Sequence, residues 1–332
     1  MNSPSSEITS RSFCAGDLVE VKSAEEILAT LDADGTCEAL PFMPEMLGFC
    51  GKRFRVFRRA TKVCDTIDKT GFRRMQRAVL LDGSRCDGAD HGGCQAGCMI
   101  LWKEQWLKPV FHDLVKIDTV ASLHEDAAGA HEKSKAYALL MKSARGVAAV
   151  GSSHEIYRCQ ITELKKASMF LAWWDLRQYL EEVTSKNRRL GEVVVGLFIM
   201  LFNAVQKWRG GDVYPYLEQG TLKRTPVHSL NLQPGDKVKV KPANDIQATL
   251  DSKYKNRGLM FDVGMARYCN KTFQVATRAT KVIHEKTGEM IRTPEDNPMI
   301  ILDSVICNAD YQKFCARSEY VFWREIWLDK VS

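Results

Sequence analysis

Ser84 to Cys98 reads SRCDGADHGGCQAGC: three thiols, one imidazole and four glycines in a single short loop. Thiolate and imidazole are ligands that zinc selects, at metal–sulfur distances of about 2.3 Å. A dense thiol cluster also serves as a disulfide knot or as a reactive nucleophile, and an unused cysteine packs as a small apolar side chain. The chain holds 11 cysteines, an odd number. Its opening, MNSPSSEITSRSF, lacks the basic stretch and apolar core of a secretory signal. A cytoplasmic address is therefore expected, and reducing compartments shift clustered thiols from disulfides toward metal ligation or catalysis.

The same thiols occur twice. GDLVEVKSAEEILATLD (Gly16–Asp32) returns as GDKVKVKPANDIQATLD (Gly235–Asp251), and FCGKRFRVFRRATKV (Phe49–Val63) as YCNKTFQVATRATKV (Tyr268–Val282). LLDGSRC returns as ILDSVIC, and ILWKEQWLKPV as VFWREIWLDKV, so residues 16–110 and 235–331 read as two copies of one unit. Cys50 then corresponds to Cys269, Cys86 to Cys307 and Cys94 to Cys315, while Cys14, Cys37, Cys64, Cys98 and Cys159 have no counterpart. A thiol triplet kept by two diverged units is what a three-point metal site produces, so one metal per copy is expected. The fourth ligand differs. Copy one offers Cys98 or His91, and either closes a structural tetrahedron. Copy two has Glu319 and Gln312 at those positions, leaving three thiolates with a carboxylate or water. That is the open arrangement of catalytic zinc, and equally of a decaying structural site. Iron, alone or in an iron-sulfur cluster, is the alternative to zinc, although none of the ferredoxin spacings occurs.

Short strands must position these loops. Each copy opens with Gly-Asp before an alternating V-x-V strand, continues through FRV or FQV, turns at KTG, and closes on W-[KR]-E-x-W-L. Period-two alternation punctuated by Gly and Asp turns predicts antiparallel strands, and AEEILATLD and NDIQATLD predict a short helix near the start of each copy. About 95 residues of this pattern make a small, strongly bent barrel or sandwich.

The order G-D-x-V-x-V, inserted loop, F-x-V, turn, strand and closing W-x-x-x-W-L resembles an SH3-like barrel. Its opening and closing strands are similar to the C-terminal barrel of the nitrile hydratase beta subunit. The resemblance implies a small barrel in each copy, and nothing of nitrile hydratase catalysis carries over. The string LPFMPEM…FCGKRFRV…CDGADHGGCQAGC also resembles uncharacterised bacterial cysteine-rich proteins. The expected fold is mostly β with a helical insert. It comprises a Cys-rich SH3-like barrel over residues 12–110, a helical middle segment and linker over 111–228, and a second SH3-like barrel over 229–332.

In the middle, Val120 to Arg145 reads as helix, EIYRCQITEL as a strand, and DLRQYLEEVTSKN and LGEVVVGLFIMLFNAVQKW as two further helices ended by Gly210-Gly211. The apolar run Val193–Val205 falls short of the roughly 20 residues needed to cross hydrocarbon. No transmembrane span is expected; a buried helix is, with homo-oligomerisation as another use of that surface. Asp175 after Trp173 and Trp174 reads as a helix N-cap with aromatic residues packed on a barrel. His124 and His131 share a helical face beside Glu125 and Glu132, where a solvated surface is the simpler reading than a metal clamp.

Arg53, Arg55 and Phe57 fall on one face of a strand, with Arg58 beside them, and guanidinium forks next to an aromatic ring suit phosphates and stacked bases. Copy two has Thr272, Gln274 and Thr277 at the three arginine positions, so the fold does not require them. A composition of 45% hydrophobic and 27% charged residues excludes wholesale disorder, and a net charge of +6 is too small to assert nucleic-acid binding by itself. No Gly-rich phosphate loop, G-x-S-x-G elbow or H-E-x-x-H helix is present. The expected function is a metal-stabilised tandem-barrel binding or scaffold protein, holding zinc and docking a protein partner or small ligand. One alternative is a metalloenzyme using an open three-cysteine site in copy two. Another is a nucleic-acid or phospholigand binder using the arginine face.

Overall fold

The structure, a computed structural model, describes residues 12–68, 70–110, 127–146, 155–309 and 314–331. The first half contains β1 (Leu18–Val21), α1 (Ala24–Leu28), β2 (Thr36–Cys37), β3 (Leu40–Pro41), β4 (Arg53–Arg59), β5 (Val63–Cys64), β6 (Phe72–Arg74), β7 (Ala78–Arg85), β8 (Met99–Lys103) and β9 (Leu107–Pro109). In the middle lie α2 (Ala127–Ser143), β10 (Met169–Leu171), α3 (Arg177–Thr184) and α4 (Leu190–Arg209). The second half contains β11 (Lys237–Val240), α5 (Ala243–Gln247), β12 (Lys255–Asn256), β13 (Leu259–Met260), β14 (Thr272–Ala279), β15 (Lys281–Ile283), β16 (Met290–Arg292), β17 (Met299–Ile306), β18 (Tyr320–Trp323) and β19 (Leu328–Lys330).

Two five-stranded antiparallel sheets carry the fold, in the orders β8-β7-β4-β1-β9 and β18-β17-β14-β11-β19, each curled into a half-barrel. The mostly-β architecture with a few helices is thus as the alternating pattern predicts. The curl has a local cause. Register shifts between Val56 and Arg58 in β4, between Val275 and Thr277 in β14, and between Leu80 and Arg85 in β7 insert irregularities that bend a strand and increase its twist.

Each sheet closes over a pair of tryptophans. Trp102 and Trp106 are fully buried with their rings 6.3 and 5.3 Å from Phe42, and Trp323 and Trp327 surround Phe261 at 6.2 and 5.6 Å. Trp106 Nε1 donates to Thr30 Oγ1 at 3.0 Å and Trp327 Nε1 to Thr249 Oγ1 at 2.9 Å, which ties the closing turn to the segment after the first helix. The halves differ at one bond. Trp102 Nε1 donates to Ser84 Oγ at 3.1 Å, whereas Trp323 Nε1 is buried without a partner because Val305 occupies the corresponding place.

Three expectations for the middle segment are corrected. EIYRCQITEL is not a strand: Ile156 and Tyr157 make only isolated bridges, and turns follow from Gln160. Thr162 Oγ1 accepts from Cys159 N and donates to Cys159 O, both at 3.0 Å, and such local side-chain bonds compete with a sheet ladder. The strand lies further on, at β10, paired with β6. Trp173 and Trp174 do not pack on a barrel; they are 71% and 64% exposed, and the N-cap of α3 is Leu176. Finally, α4 runs over Leu190–Arg209, longer than the apolar core of its sequence, and it is not buried.

Only Val193 and Gly196 of α4 are buried. They face Tyr179 and Phe314, and a Cβ at Gly196 would fall 2.3 Å from the Phe314 ring, so glycine permits this approach. Phe198, Leu201 and Trp208 stand 69%, 63% and 89% exposed. Among the described residues α4 is the one helix long and apolar enough to cross a membrane, by length and composition alone. His124 lies outside the described residues, and His131 falls within α2.

Candidate functional site

The loop between β7 and β8 is built around its thiols. Cys86 N donates to Cys98 O at 2.9 Å and closes the loop, while the Gly88 carbonyl accepts from both His91 N and Gly93 N at 3.0 Å. Gly88 has φ +68°, and a Cβ there would meet the Cys94 carbonyl oxygen at 2.0 Å, so no other residue fits this turn. As a result Cys86, Cys94 and Cys98 line one cavity of about 30 Å³ together with His91 and, from the middle segment, Cys159. Cys50 is elsewhere: it ends the turn Pro44–Phe49, with its Sγ 3.9 Å from the Met46 carbonyl oxygen. The thiols brought together therefore differ from the triplet suggested by the repeat.

Burial raises the Cys86 thiol strongly, and the Glu45 carboxylate adds to the effect. Burial likewise holds Cys98 well above the ordinary thiol range and pushes Cys159 up to about 11. These groups are protonated at neutral pH unless a cation draws the thiolates in. Beside them Glu45 Oε1 meets His91 Nδ1 at 2.5 Å, His91 Nε2 lies 3.2 Å from the Arg158 carbonyl oxygen, and Cys86 Sγ is 3.9 Å from Glu45 Oε1. Burial opposes the imidazolium, but hydrogen bonding to Glu45 and its charge outweigh that and raise the His91 pKa. Glu45 Oε2 is buried with no hydrogen-bond partner. Among the described residues, Glu45, Cys86 and His91 form the one group of three whose ligand atoms all lie within 4.8 Å of one another. Glu45 escaped the sequence reading because its counterpart in the other half is Gly264; the signal was the PEM turn beside Cys50.

The second half arranges its thiols differently. Cys307, Cys315 and Glu319 line a cavity of about 330 Å³ with Cys64, which comes from the first half. Cys269 ends the turn Val263–Tyr268 and does not line it, and Gln312 lies outside the described residues. The Cys315 thiol donates to Cys64 Sγ at 3.0 Å, and Cys64 N donates to Cys315 Sγ at 3.0 Å. Glu319 is held by Arg317, whose Nε lies 3.3 Å from Oε1, and Arg317 Nη2 also pairs with Glu285 at 3.1 Å. The loops dock reciprocally. Gln95 N donates to Lys281 O at 2.8 Å, and Ala316 N to Lys62 O at 2.9 Å, so each cysteine loop leans on a strand of the other half. Ile283 thereby reaches the first cavity and Cys64 the second.

On β4, Arg53 and Arg55 are exposed and Phe57 is half-buried, as period two predicts. Their guanidinium groups are engaged: Arg53 Nε with Glu20 at 3.0 Å and Arg55 Nη1 with the Gly16 carbonyl at 3.3 Å. Arg58 lies over the Phe57 ring at 5.0 Å and donates to Ser318 Oγ at 3.0 Å, which places it at the junction of the halves. No protein-family model matches the chain, and no curated protein matches it.

Proposed function

We propose that this chain is a metal-stabilised tandem-barrel binding protein that holds one zinc ion among Cys86, Cys94, Cys98 and Cys159. The observation that carries the reading is that the loop between β7 and β8 and the middle segment bring the four onto one cavity of about 30 Å³; no three of their sulfurs lie within 4.8 Å of one another, so an ion would have to draw them in. Four thiolates satisfy zinc as a closed structural site. Such a centre ties the end of β7, the loop before β8 and the middle segment together. The Glu45–His91 pair then buttresses Cys86, since both imidazole nitrogens already have partners. A second reading uses Glu45, Cys86 and His91 as ligands, favoured by their mutual distances and by the unpartnered Glu45 Oε2. The strand order, with the last strand beside the first and a 3-10 turn before it, supports assigning both half-barrels to the SH3-like class.

Elemental analysis of freshly purified protein should find one zinc per chain. Cobalt substitution separates the two ligand sets, because sulfur-to-cobalt charge transfer grows with the number of thiolates: four support the first reading and one the second. Absence of both zinc and iron refutes both. The partner proposed for α4 is a second copy of this chain. No charged residue interrupts Val193 to Gln206, and Glu192 in the first turn with Lys207 and Arg209 in the last would meet their opposites in an antiparallel pair. A metalloenzyme in the second half is less well supported, since Arg317 occupies Glu319 and Cys269 stands apart. Nucleic-acid binding by Arg53, Arg55 and Arg58 would first have to displace their present partners.

A further inference from the structure

The thiols of Cys64 and Cys315 lie closer than two ligands of one metal ion would. Around a tetrahedral zinc, sulfurs at about 2.3 Å from the metal stand roughly 3.8 Å apart; here the separation is 3.0 Å. A disulfide needs about 2.05 Å, so closure asks for an approach of about 1 Å. The backbone is already positioned for it by Cys64 N donating to Cys315 Sγ and Ala316 N to Lys62 O. We propose that Cys64 and Cys315 are a thiol–disulfide exchange site whose substrate is a small organic disulfide admitted to the adjoining cavity, and whose product is a Cys64–Cys315 bond between the two halves.

The two thiols are unequal. The hydrogen bond from Cys315, with the nearby Arg317 cation, lowers Cys64 to about 7, whereas burial and the same bond hold Cys315 protonated. Cys64 is half-buried at the cavity and accepts the hydrogen bond, whereas Cys315 is buried and donates it, so Cys64 is the sulfur that an entering disulfide meets and the attacking thiolate. It forms a bond to one sulfur of R–S–S–R, breaks the S–S bond and expels RS⁻. Cys315 passes its proton to that thiolate, attacks Cys64 Sγ and expels the second RS⁻, which takes the proton Cys64 first released. Two protein thiols are oxidised to one disulfide, and one external disulfide is reduced to two RSH. The cavity of about 330 Å³ accepts such a molecule between the apolar Leu259, Val263 and Met265 and the polar Arg317 and Glu285. The inference does not rest on the zinc reading, which concerns the other cavity.

The test exposes the whole protein to hydroxyethyl disulfide, quenches with acid and digests with trypsin without reductant. Mass spectrometry should find the peptide Val63–Lys69 joined to Phe314–Arg317, and dithiothreitol should separate them. Cys315→Ser should leave a stable hydroxyethylthio adduct on Cys64, and Cys64→Ser should leave Cys315 unmodified. The wild-type result needs no variant to fold. The proposal is overturned if Cys64 and Cys315 stay unlinked while exposed Cys307 is modified, or if either joins a different cysteine. It is also overturned if stoichiometric zinc protects the pair from reaction, because the two thiols would then be metal ligands.

Discussion

Zinc affinity should rise at least about a thousandfold when the pH is raised by one unit through neutrality. Cys86, Cys98 and Cys159 all have pKa values raised by burial, so each enters the reaction as a neutral thiol and must lose its proton to ligate. These three alone give a slope of at least about three in log K against pH, or at least about 4 kcal/mol per pH unit. The sign is set by competition: as pH falls, protons reclaim the sulfurs and the ion leaves. The metal-free protein behaves oppositely on the alkaline side. Thiols whose folded pKa exceeds the unfolded value near 8.5 contribute stability that is lost as pH rises through the folded pKa. The zinc-loaded protein, with those sulfurs already ionised, should not share that loss. Competition against a chromophoric chelator at several pH values, with proton release followed by a dye in weak buffer, measures the slope. A slope below about one, or Cys86→Ser binding zinc as tightly as wild type, would refute the thiol assignment.

Glu45→Gln should bring the His91 pKa of the metal-free protein below the ordinary imidazole value, because burial then acts without the opposing carboxylate; an NMR titration in which His91 stays high would show that Glu45 is not the cause. Ser84→Ala leaves Trp102 Nε1 unpartnered in the core and should cost about 1–3 kcal/mol in urea unfolding, and a loss of only a few tenths would contradict the importance of that bond. Phe198→Asp with Leu201→Asp, both on the exposed face of α4, should leave the circular dichroism spectrum unchanged and dissolve self-association in sedimentation velocity. A wild-type monomer at tens of micromolar removes the second-copy reading.

The strands, the tryptophan-closed turns and the two short helices α1 and α5 were legible because they are local: alternation, Gly-Asp turns and W-x-x-x-W recur within a few residues of each other. The thiol loop was legible too, since Cys86, Cys94 and Cys98 share one turn fixed by Gly88. Reading one half through the other kept Cys98 as a fourth ligand but set aside Cys64 and Cys159, which have no counterparts. Yet Cys159 joins Cys98 at the first cavity, and Cys64 meets a thiol 251 residues away. Only the docking of each loop on the opposite half decides those meetings, and no local pattern encodes which side chains two distant surfaces will bring together. The same holds for α4. Its sequence fixes a long apolar helix, but burial depends on what packs against it, and Tyr179 and Phe314 cover only the strip around Val193 and Gly196. Composition determines what a segment can bury; tertiary structure determines how much of it is buried.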